Sequence, residues 1–236
     1  GVAGWFEGAE PWLDTAEDVG AMAASMMGAA PDRVIHSSTV TTNIHALVGS
    51  LYQPDGRRTK ILVDELDFPT DIYALKAQLR MKGRDPAADL VVVPSDDGRT
   101  IDEERIIAAM TDEVALALLP SVLYRSGQLL DMERLAAAAR ERGVVIGFDC
   151  CHSAGVLPHE LDAWDVDFAV WCGYKYLNSG PGGSAFLYVN PRHHDAEPVL
   201  AGWFGNRRET MFDMSHDLQP RDRAARWQIS PSGILG

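Results

Sequence analysis

An aspartate and a histidine, Asp149 and His152, lie three residues apart directly after a short apolar run at 144–148. If that run is a buried strand, the carboxylate and the imidazole at its end face the same pocket. Such a carboxylate can keep an aromatic ring nitrogen protonated. Two simpler interpretations stay open, since Asp149 could cap a following helix and His152 could be a hydrogen-bonded structural histidine.

A lysine lies between two tyrosines, Tyr174 and Tyr176, just after a second apolar run at 168–171. Burial there would lower the pKa of Lys175, and the neutral amine is the form that makes a Schiff base with an aldehyde. A lone lysine is more often a surface charge, but the position of Asp149 reverses that preference. Together the two residues indicate a pyridoxal phosphate (PLP) enzyme, because PLP needs a lysine for its aldehyde and an acid for its pyridine nitrogen.

Hydroxyl-bearing residues precede a predicted helix and offer a site for the cofactor phosphate. Helix N-termini carry free amides and a favourable dipole, so Thr41 and Thr42 could bind an anion or simply cap the helix. Phe68 follows another apolar run, where it could stack on a flat cofactor or act as a hydrophobic staple. Asp71 could contact the ligand or cap the next helix.

Glycines mark two further segments of interest, one around Trp203 and one at 179–183. Trp203 lies between glycines in an irregular stretch, where it could belong to the core or cover a ligand. The glycine-rich segment 179–183 has neither a dinucleotide-binding fingerprint nor a phosphate-binding loop with Gly-Lys-Ser/Thr. We interpret that segment as a turn that allows close backbone approach.

The elements that must position these residues alternate along the chain. Short, β-branched apolar runs predict buried strands at 60–63, 90–93, 114–119, 144–148, 168–171 and 185–189. Helical periodicity predicts helices at 42–52, 69–82, 102–110 and 131–142, after an earlier helix that opens with a capping box at Asp14 and Glu17 and stops at Gly28. This alternation implies an α/β fold, a mostly parallel sheet flanked by helices, in one domain over residues 1–236. Ligands bind outside the carboxyl ends of such strands, which is where Asp149 and Lys175 lie.

Composition narrows the function classes. A formal charge of −13, with scattered arginines, argues against a nucleic-acid surface. The sequence has no apolar run of about 18 residues and no signal-peptide pattern, which predicts a cytoplasmic protein without a membrane partner. The three cysteines, Cys150, Cys151 and Cys172, fit neither a zinc site nor a disulfide framework, so we expect buried reduced thiols and no metal.

Six short blocks, in order along nearly the whole chain, resemble those of kynureninases, above all of the bacterial form. The blocks lie at 42–45, 68–71, 149–153, 165–169, 174–178 and 202–205. The resemblance implies the large domain of a fold type I PLP transferase and a homodimer. It also implies hydrolysis of L-kynurenine, and often of 3-hydroxykynurenine, to an anthranilate and L-alanine.

The resemblance also assigns residues to the cofactor. It implies that Lys175 bonds to PLP, that Asp149 pairs with the pyridinium and that His152 lines the ring. One motif would contact the ring, with Phe68 stacked on it beside Pro69, Thr70 and Asp71.

Other residues are implied at the phosphate. Val40 and Thr41 would approach it, as would Tyr174, which is also implied as an acid/base group. Trp203 would reach the phosphate of the cofactor in the partner subunit.

Three departures from the family pattern bear on the site. Pro231 stands where relatives offer a side-chain donor, and Pro120 stands where some offer a phosphate-binding serine, with Ser121 adjacent as a substitute. The abrupt ends of the chain predict a fragment that lacks the N-terminal arm and the small C-terminal domain, which carries the arginine for the substrate carboxylate.

Two alternatives stay open at this stage. A related PLP lyase acting on cysteine or selenocysteine would share the fold, but such enzymes use a mobile-loop cysteine, and no cysteine follows Cys172. A truncated homologue could instead serve as a binding or dimerisation module, although Lys175 and Asp149 are both intact.

Overall fold

Seven strands form one mixed sheet in the computed structural model, which describes residues 2–9 and 11–233. The sheet order is β1-β7-β6-β5-β4-β2-β3. The strands are β1 Val34–His36, β2 Lys60–Asp64, β3 Leu90–Val93, β4 Val114–Pro120, β5 Val145–Asp149, β6 Phe168–Cys172 and β7 Ala185–Val189. Strands β6, β5, β4, β2 and β3 run parallel, whereas β7 is antiparallel to both of its neighbours. The predicted α/β class with a mostly parallel sheet is confirmed.

Helices follow most of the strands, as the alternating pattern predicts. They are α1 Thr15–Met26, α2 Val40–Leu51, α3 Pro69–Met81, α4 Pro86–Asp89, α5 Glu103–Ala109 and α6 Met132–Arg142. The predicted helices are confirmed with shifts of one or two residues at their ends, and the short α4 is an addition to them. From residue 191 onward the described chain contains only short 3-10 helices and irregular segments, and residues 234–236, on which part of the fragment prediction depends, lie outside the description.

The predicted capping box at the start of α1 is wrong. Asp14 is the N-cap residue, but its side chain makes no capping hydrogen bond. The carboxylate of Glu17 instead pairs with two arginines from the far end of the chain, Arg208 and Arg221. An ion pair with two guanidinium groups replaces the local bond to the backbone, so this helix start is fixed by tertiary contacts.

Apolar side chains fill both faces of the sheet. Trp171 and Phe186 stack on one face with ring centroids 5.5 Å apart, and Trp227 is fully buried on the other. The predicted strand at 90–93 is confirmed, but its predicted burial is wrong: β3 is an edge strand, with Val93 buried and Val92 46% exposed. β-branched residues suit an edge strand as well as a central one, which explains the error.

Strands β5 and β6 approach each other closely where they carry the candidate residues. Gly147 faces the ring of Phe168, and a Cβ atom at Gly147 would lie 2.1–2.5 Å from carbons of that ring. The missing side chain lets the aromatic ring fill the space over β5. Beyond this contact, Asp149 ends β5 and Cys172 ends β6 at the same edge of the sheet.

Candidate active site

Lys175 lies beside His152 and over Phe68, at the carboxyl ends of three different strands. The Nζ atom of Lys175 is 3.1 Å from Nε2 of His152 and 5.8 Å from the centroid of the Phe68 ring. Burial and the charge of Lys175 lower the pKa of His152, which therefore presents a neutral imidazole at neutral pH. An amine next to a neutral imidazole can exchange a proton with it.

Two buried carboxylates lie next to this amine. Asp149 is 8% exposed, and its Oδ1 accepts a hydrogen bond of 2.7 Å from the amide of Cys151, so it caps no helix. Asp71 is fully buried, and both of its carboxylate oxygens lack a hydrogen-bond donor among the described residues. It therefore does not cap α3 either. Burial and the charge of Asp149 raise the pKa of Asp71 to about 9.

Two further buried aspartates, Asp64 and Asp67, lie behind the site, and their carboxyl groups resist ionisation. Burial raises the pKa of Asp64 to about 6 and, together with the charge of Asp71, raises that of Asp67 well above its usual range. One oxygen of each carboxyl group accepts a backbone amide hydrogen bond, and the other has no donor among the described residues. A cation in the adjoining cleft would therefore favour the ionised form of these groups.

A small cleft is lined by four of the predicted cofactor residues: Phe68, Asp149, His152 and Lys175. Its walls are Phe68, Pro120, Val122, Tyr124, Asp149, His152 and Lys175. Tyr124 was missed by the sequence reasoning: its ring packs edge-on against Phe68 at 5.3 Å, and its hydroxyl accepts a 2.8 Å hydrogen bond from Arg125. The loop after β4 was the available signal, because it follows a buried strand in the same way as the other site loops.

The N-termini of α2 and α3 meet beside the cleft. The hydroxyls of Thr41 and Thr70 are 3.0 Å apart, and Thr39 caps α2 by accepting from the amide of Thr42 at 3.3 Å. The prediction that hydroxyls lie at a helix N-terminus is confirmed. Val40 and Pro69 are the first residues of these helices, and Val40 is buried whereas Pro69 is exposed.

Tyr174 lies at the rim, half-exposed, with its hydroxyl at the thiol of Cys172. Burial, with the neighbouring thiols, raises the pKa of Tyr174 to about 12. A hydrogen bond from Cys151 lowers the pKa of Cys172 to about 6. All three cysteines are buried and free, as predicted.

Trp203 lies away from the cleft of its own chain. It is 43% exposed, and its Nε1 donates to the carbonyl oxygen of Met211 at 2.8 Å. It borders an apolar cavity of about 480 Å³ lined by Val2, Trp5, Phe6, Leu13, Trp203, Phe204, Phe212 and Pro231. Pro231 thus lines this cavity, and the hydroxyl of Ser121 is buried inside the fold, so neither supplies a donor to the cleft.

Within residues 2–9 and 11–233, no helix has both the length and the apolar character to cross a membrane. No group of three or more His, Cys, Asp or Glu side chains there is arranged for a metal ion.

The sequence matches the family model "Aminotransferase class-V" over residues 11–221. Proteins named kynureninase are 55% identical in Bacillus anthracis, 56% in Bacillus thuringiensis subsp. konkukian and 52% in Geobacillus thermodenitrificans, each over 235 residues. These alignments cover the whole of this chain but 55% of each relative, so the chain spans about half their length.

Solved structures share the fold at low identity. The apo cysteine desulfurase of Thermococcus onnurineus NA1 superposes with a TM-score of 0.79 at 18% identity, covering 98% of this chain and 56% of that one. A C-DES mutant with glycine linked covalently to its PLP cofactor superposes with a TM-score of 0.73 at 20% identity, covering 92% and 56%. These similarities establish the fold, and the choice of substrate depends on the site.

Proposed function

Since the chain belongs to the aminotransferase class-V family, we propose that residues 1–236 are the PLP-binding large domain of a kynureninase. The reaction would be hydrolysis of the Cβ–Cγ bond of L-kynurenine to anthranilate and L-alanine, in tryptophan catabolism. The observation that carries this proposal is the identity of 52–56% to proteins named kynureninase over the whole chain. 3-Hydroxykynurenine is a second substrate under the same proposal.

The residues present fit PLP. Asp71 has two buried carboxylate oxygens without donors, next to Asp149, and a protonated pyridine nitrogen would supply the missing positive charge. Phe68 and His152 line the cleft and offer ring faces to a flat ligand, and Lys175 offers a primary amine to an aldehyde. The N-terminus of α2, with Val40 and Thr41, would hold the phosphate, with Pro69, Thr70 and Tyr174 nearby.

When bound, PLP supplies an electron sink for the charge that develops on the substrate Cα. Asp149 would keep the pyridine nitrogen protonated, with Asp71 behind it. The amine of Lys175 would remove and return the proton at Cα, and His152 is close enough to share that proton. Tyr174 would act as an acid, because its phenol is protonated at neutral pH; the raised pKa makes it a weaker donor than an ordinary tyrosine.

We further propose that the protein is a cytoplasmic homodimer. Trp203 supports this arrangement, because it is exposed and remote from the cleft of its own chain while its neighbours form an exposed aromatic surface. In a dimer, Trp203 would reach the phosphate of the cofactor that the partner holds. The partners would otherwise be small molecules, with no role for nucleic acid or membrane.

The first test uses the full-length protein that contains this chain. PLP is added to the unmodified protein and to Lys175→Ala, and the visible absorbance of the bound cofactor is recorded, with Lys76→Ala as a control for loss of a lysine elsewhere. We expect the shifted band in the control and not in Lys175→Ala. A band that persists in Lys175→Ala would refute the lysine assignment.

The second test separates the substrates. L-Kynurenine should yield fluorescent anthranilate with the unmodified protein. Release of alanine from cysteine or selenocysteine without cleavage of kynurenine would instead identify the related lyase, and PLP binding without either reaction would favour a non-catalytic module.

A further inference from the structure

We infer that Ser121, Ser153 and His159 form a buried hydrogen-bonded relay that positions Asp149 and His152 at the cleft. This inference rests on the proposed function, because it assigns the relay to a PLP site. None of the three residues lines the cleft, so they are positioning residues.

The relay is continuous and closed to solvent. The Oγ atoms of Ser121 and Ser153 are 2.6 Å apart, and Oγ of Ser153 is 2.9 Å from Nε2 of His159. Both serines are fully buried, and His159 is 4% exposed. Buried polar groups linked in this way strengthen one another and fix one local structure.

The direction of the relay follows from its far end. Nδ1 of His159 lies 2.9 Å from the carbonyl oxygen of Leu157, and a carbonyl can only accept, so Nδ1 carries the hydrogen. Burial lowers the pKa of His159 and keeps the ring neutral, which leaves Nε2 as an acceptor. Ser153 therefore donates to His159, and the Ser121 hydroxyl donates either to Ser153 or to the carbonyl oxygen of Asp149, which lies 3.0 Å from its Oγ.

The relay joins two loops that form the cleft. Ser121 follows β4, and its amide donates to the carbonyl oxygen of Asp149 at 2.8 Å. Ser153 closes the turn after β5, where its amide and that of Ala154 donate to the carbonyl oxygen of Cys150 at 3.1 and 2.9 Å. Ser121 therefore binds both ends of the stretch 149–153, at the carbonyl oxygen of Asp149 and at the hydroxyl of Ser153. His152 lies within this stretch.

The relay also links the turn after β5 to the segment that contains His159 and Trp164. His159 follows the turn and packs near Trp164, with ring centroids 6.2 Å apart, and Trp164 in turn packs against the main core. Because Ser153 bonds to this anchored ring, the turn cannot shift along β5 without breaking the relay. The carboxylate of Asp149 and the imidazole of His152 consequently keep fixed positions relative to Lys175.

The test compares local exchange with cofactor affinity in the full-length protein. The variants are Ser121→Ala, Ser153→Ala, His159→Leu and His159→Gln, which keeps an acceptor. Ser50→Ala is the matched control, since Ser50 is a buried serine whose hydroxyl donates to the carbonyl of Ala46 on α2. Hydrogen exchange of peptides covering 149–154 is measured without PLP, and the Kd for PLP and the pH titration of its visible band are measured separately.

We expect faster exchange at 149–154 in Ser121→Ala, Ser153→Ala and His159→Leu but not in Ser50→Ala. We expect the Kd for PLP to rise about threefold to tenfold and the pH midpoint of the band to move, with partial rescue in His159→Gln.

Two results would overturn the relay: unchanged exchange at 149–154 in Ser153→Ala, or faster exchange with an unchanged Kd and pH midpoint. An unmodified protein that takes up no PLP would refute the proposed function instead, and the exchange comparison would still decide whether the relay holds the turn. Ser121→Ala removes only the first hydroxyl, so the comparison survives if Ser153→Ala fails to fold.

Discussion

The amine of Lys175 lies 3.1 Å from Nε2 of His152, although the two residues follow different strands. Strands β5 and β6 are hydrogen-bonded neighbours, so the loops after them meet at one edge of the sheet. The cleft therefore contains an amine and a neutral imidazole within hydrogen-bonding distance. Under the proposed function, His152 is placed to take a proton from the amine of Lys175.

Substitution of His152 should slow the capture of PLP by Lys175. His152→Phe keeps an aromatic face for the cofactor but removes the nitrogen that accepts a proton from the ammonium group. We expect the visible band to form at least about tenfold more slowly at pH 7. The difference should shrink as the pH rises, because hydroxide can then take the proton in place of His152, and stopped-flow absorbance from pH 6 to 10 measures it. An equal rate at pH 7 would contradict the proton exchange.

Asp71→Asn should stabilise the cofactor-free protein more at pH 8 than at pH 5. The folded pKa of Asp71 is about 9 and its ordinary value is 3.8. Between these values the folded state holds a proton that the unfolded state has released, so the free energy of unfolding falls as pH rises. Asparagine does not titrate, so the variant does not lose stability in this way. We expect the increase in the free energy of unfolding caused by Asp71→Asn to be about 1–3 kcal/mol larger at pH 8 than at pH 5.

Urea unfolding of the cofactor-free protein at both pH values measures this difference, and Asp217→Asn on the exposed surface is the control. The same substitution should weaken PLP binding, because it removes a carboxylate behind the pyridine nitrogen. If Asp71→Asn changes the free energy of unfolding by the same amount at both pH values, Asp71 is ionised in the folded protein.

Thr41→Val should weaken binding of PLP more than binding of pyridoxal. The hydroxyl of Thr41 lies at the N-terminus of α2, 3.0 Å from that of Thr70, where the phosphate is proposed to bind. Loss of one hydrogen bond to a charged group corresponds to about 1.5–3 kcal/mol, or about tenfold or more in the Kd for PLP. Pyridoxal has no phosphate, so its Kd should change little, and Thr111→Val should change neither. Equal losses for both ligands would remove Thr41 from the phosphate site.

Gly147→Ala should destabilise the whole domain. Its Cβ atom would lie 2.1–2.5 Å from carbons of the buried Phe168 ring, which has no free space to move into. We expect the free energy of unfolding to fall by about 2–3 kcal/mol. Gly233→Ala is the control, since its added Cβ would meet only Ser184 at 3.8 Å. An unchanged midpoint in chemical denaturation would mean that β5 and β6 can separate at no cost.

Two inactive variants should restore activity when their subunits are mixed. If Trp203 serves the partner's cofactor, a Lys175→Ala subunit still supplies Trp203 to a Trp203→Ala subunit, which still has Lys175. Mixed dimers would then contain one complete site. We expect up to about one quarter of the unmodified activity after unfolding and refolding the two variants together, from random pairing. Activity no greater than that of the separate variants would mean that Trp203 acts within its own chain.

The sequence predicts the sheet and most of the cleft because the ends of the strands can be recognised from the apolar runs. Asp149, His152 and Lys175 each follow an apolar run, and the parallel arrangement brings the ends of those runs together. The edge position of β3 is harder to predict, since Val92 has the same β propensity whether it is buried or exposed.

Contacts between segments that are distant in the sequence cannot be predicted from local sequence patterns. The pairing of Glu17 with Arg208 and Arg221 crosses about the full length of the chain, and a capping motif was the nearest local explanation for Glu17. The relay through Ser121 and Ser153 depends on the neighbouring positions of β4 and β5. Tyr124 lines the cleft from the loop after β4. It is the single aromatic residue of that loop, so no spacing pattern marked it as a site residue.

The antiparallel position of β7 sets an order for folding during synthesis. Strand β1 pairs only with β7, which lies about 150 residues later, so Val34–His36 has no partner until residue 189 has left the ribosome. Helix α2 packs against β6 and β7 as well, and its N-terminus carries Thr41. The N-terminus of this helix, where the phosphate is proposed to bind, therefore reaches its final position after the parallel strands have formed, because contacts over so long a separation close last. A ribosome-bound chain would acquire Asp149 and the turn of His152 first and the proposed phosphate site afterwards.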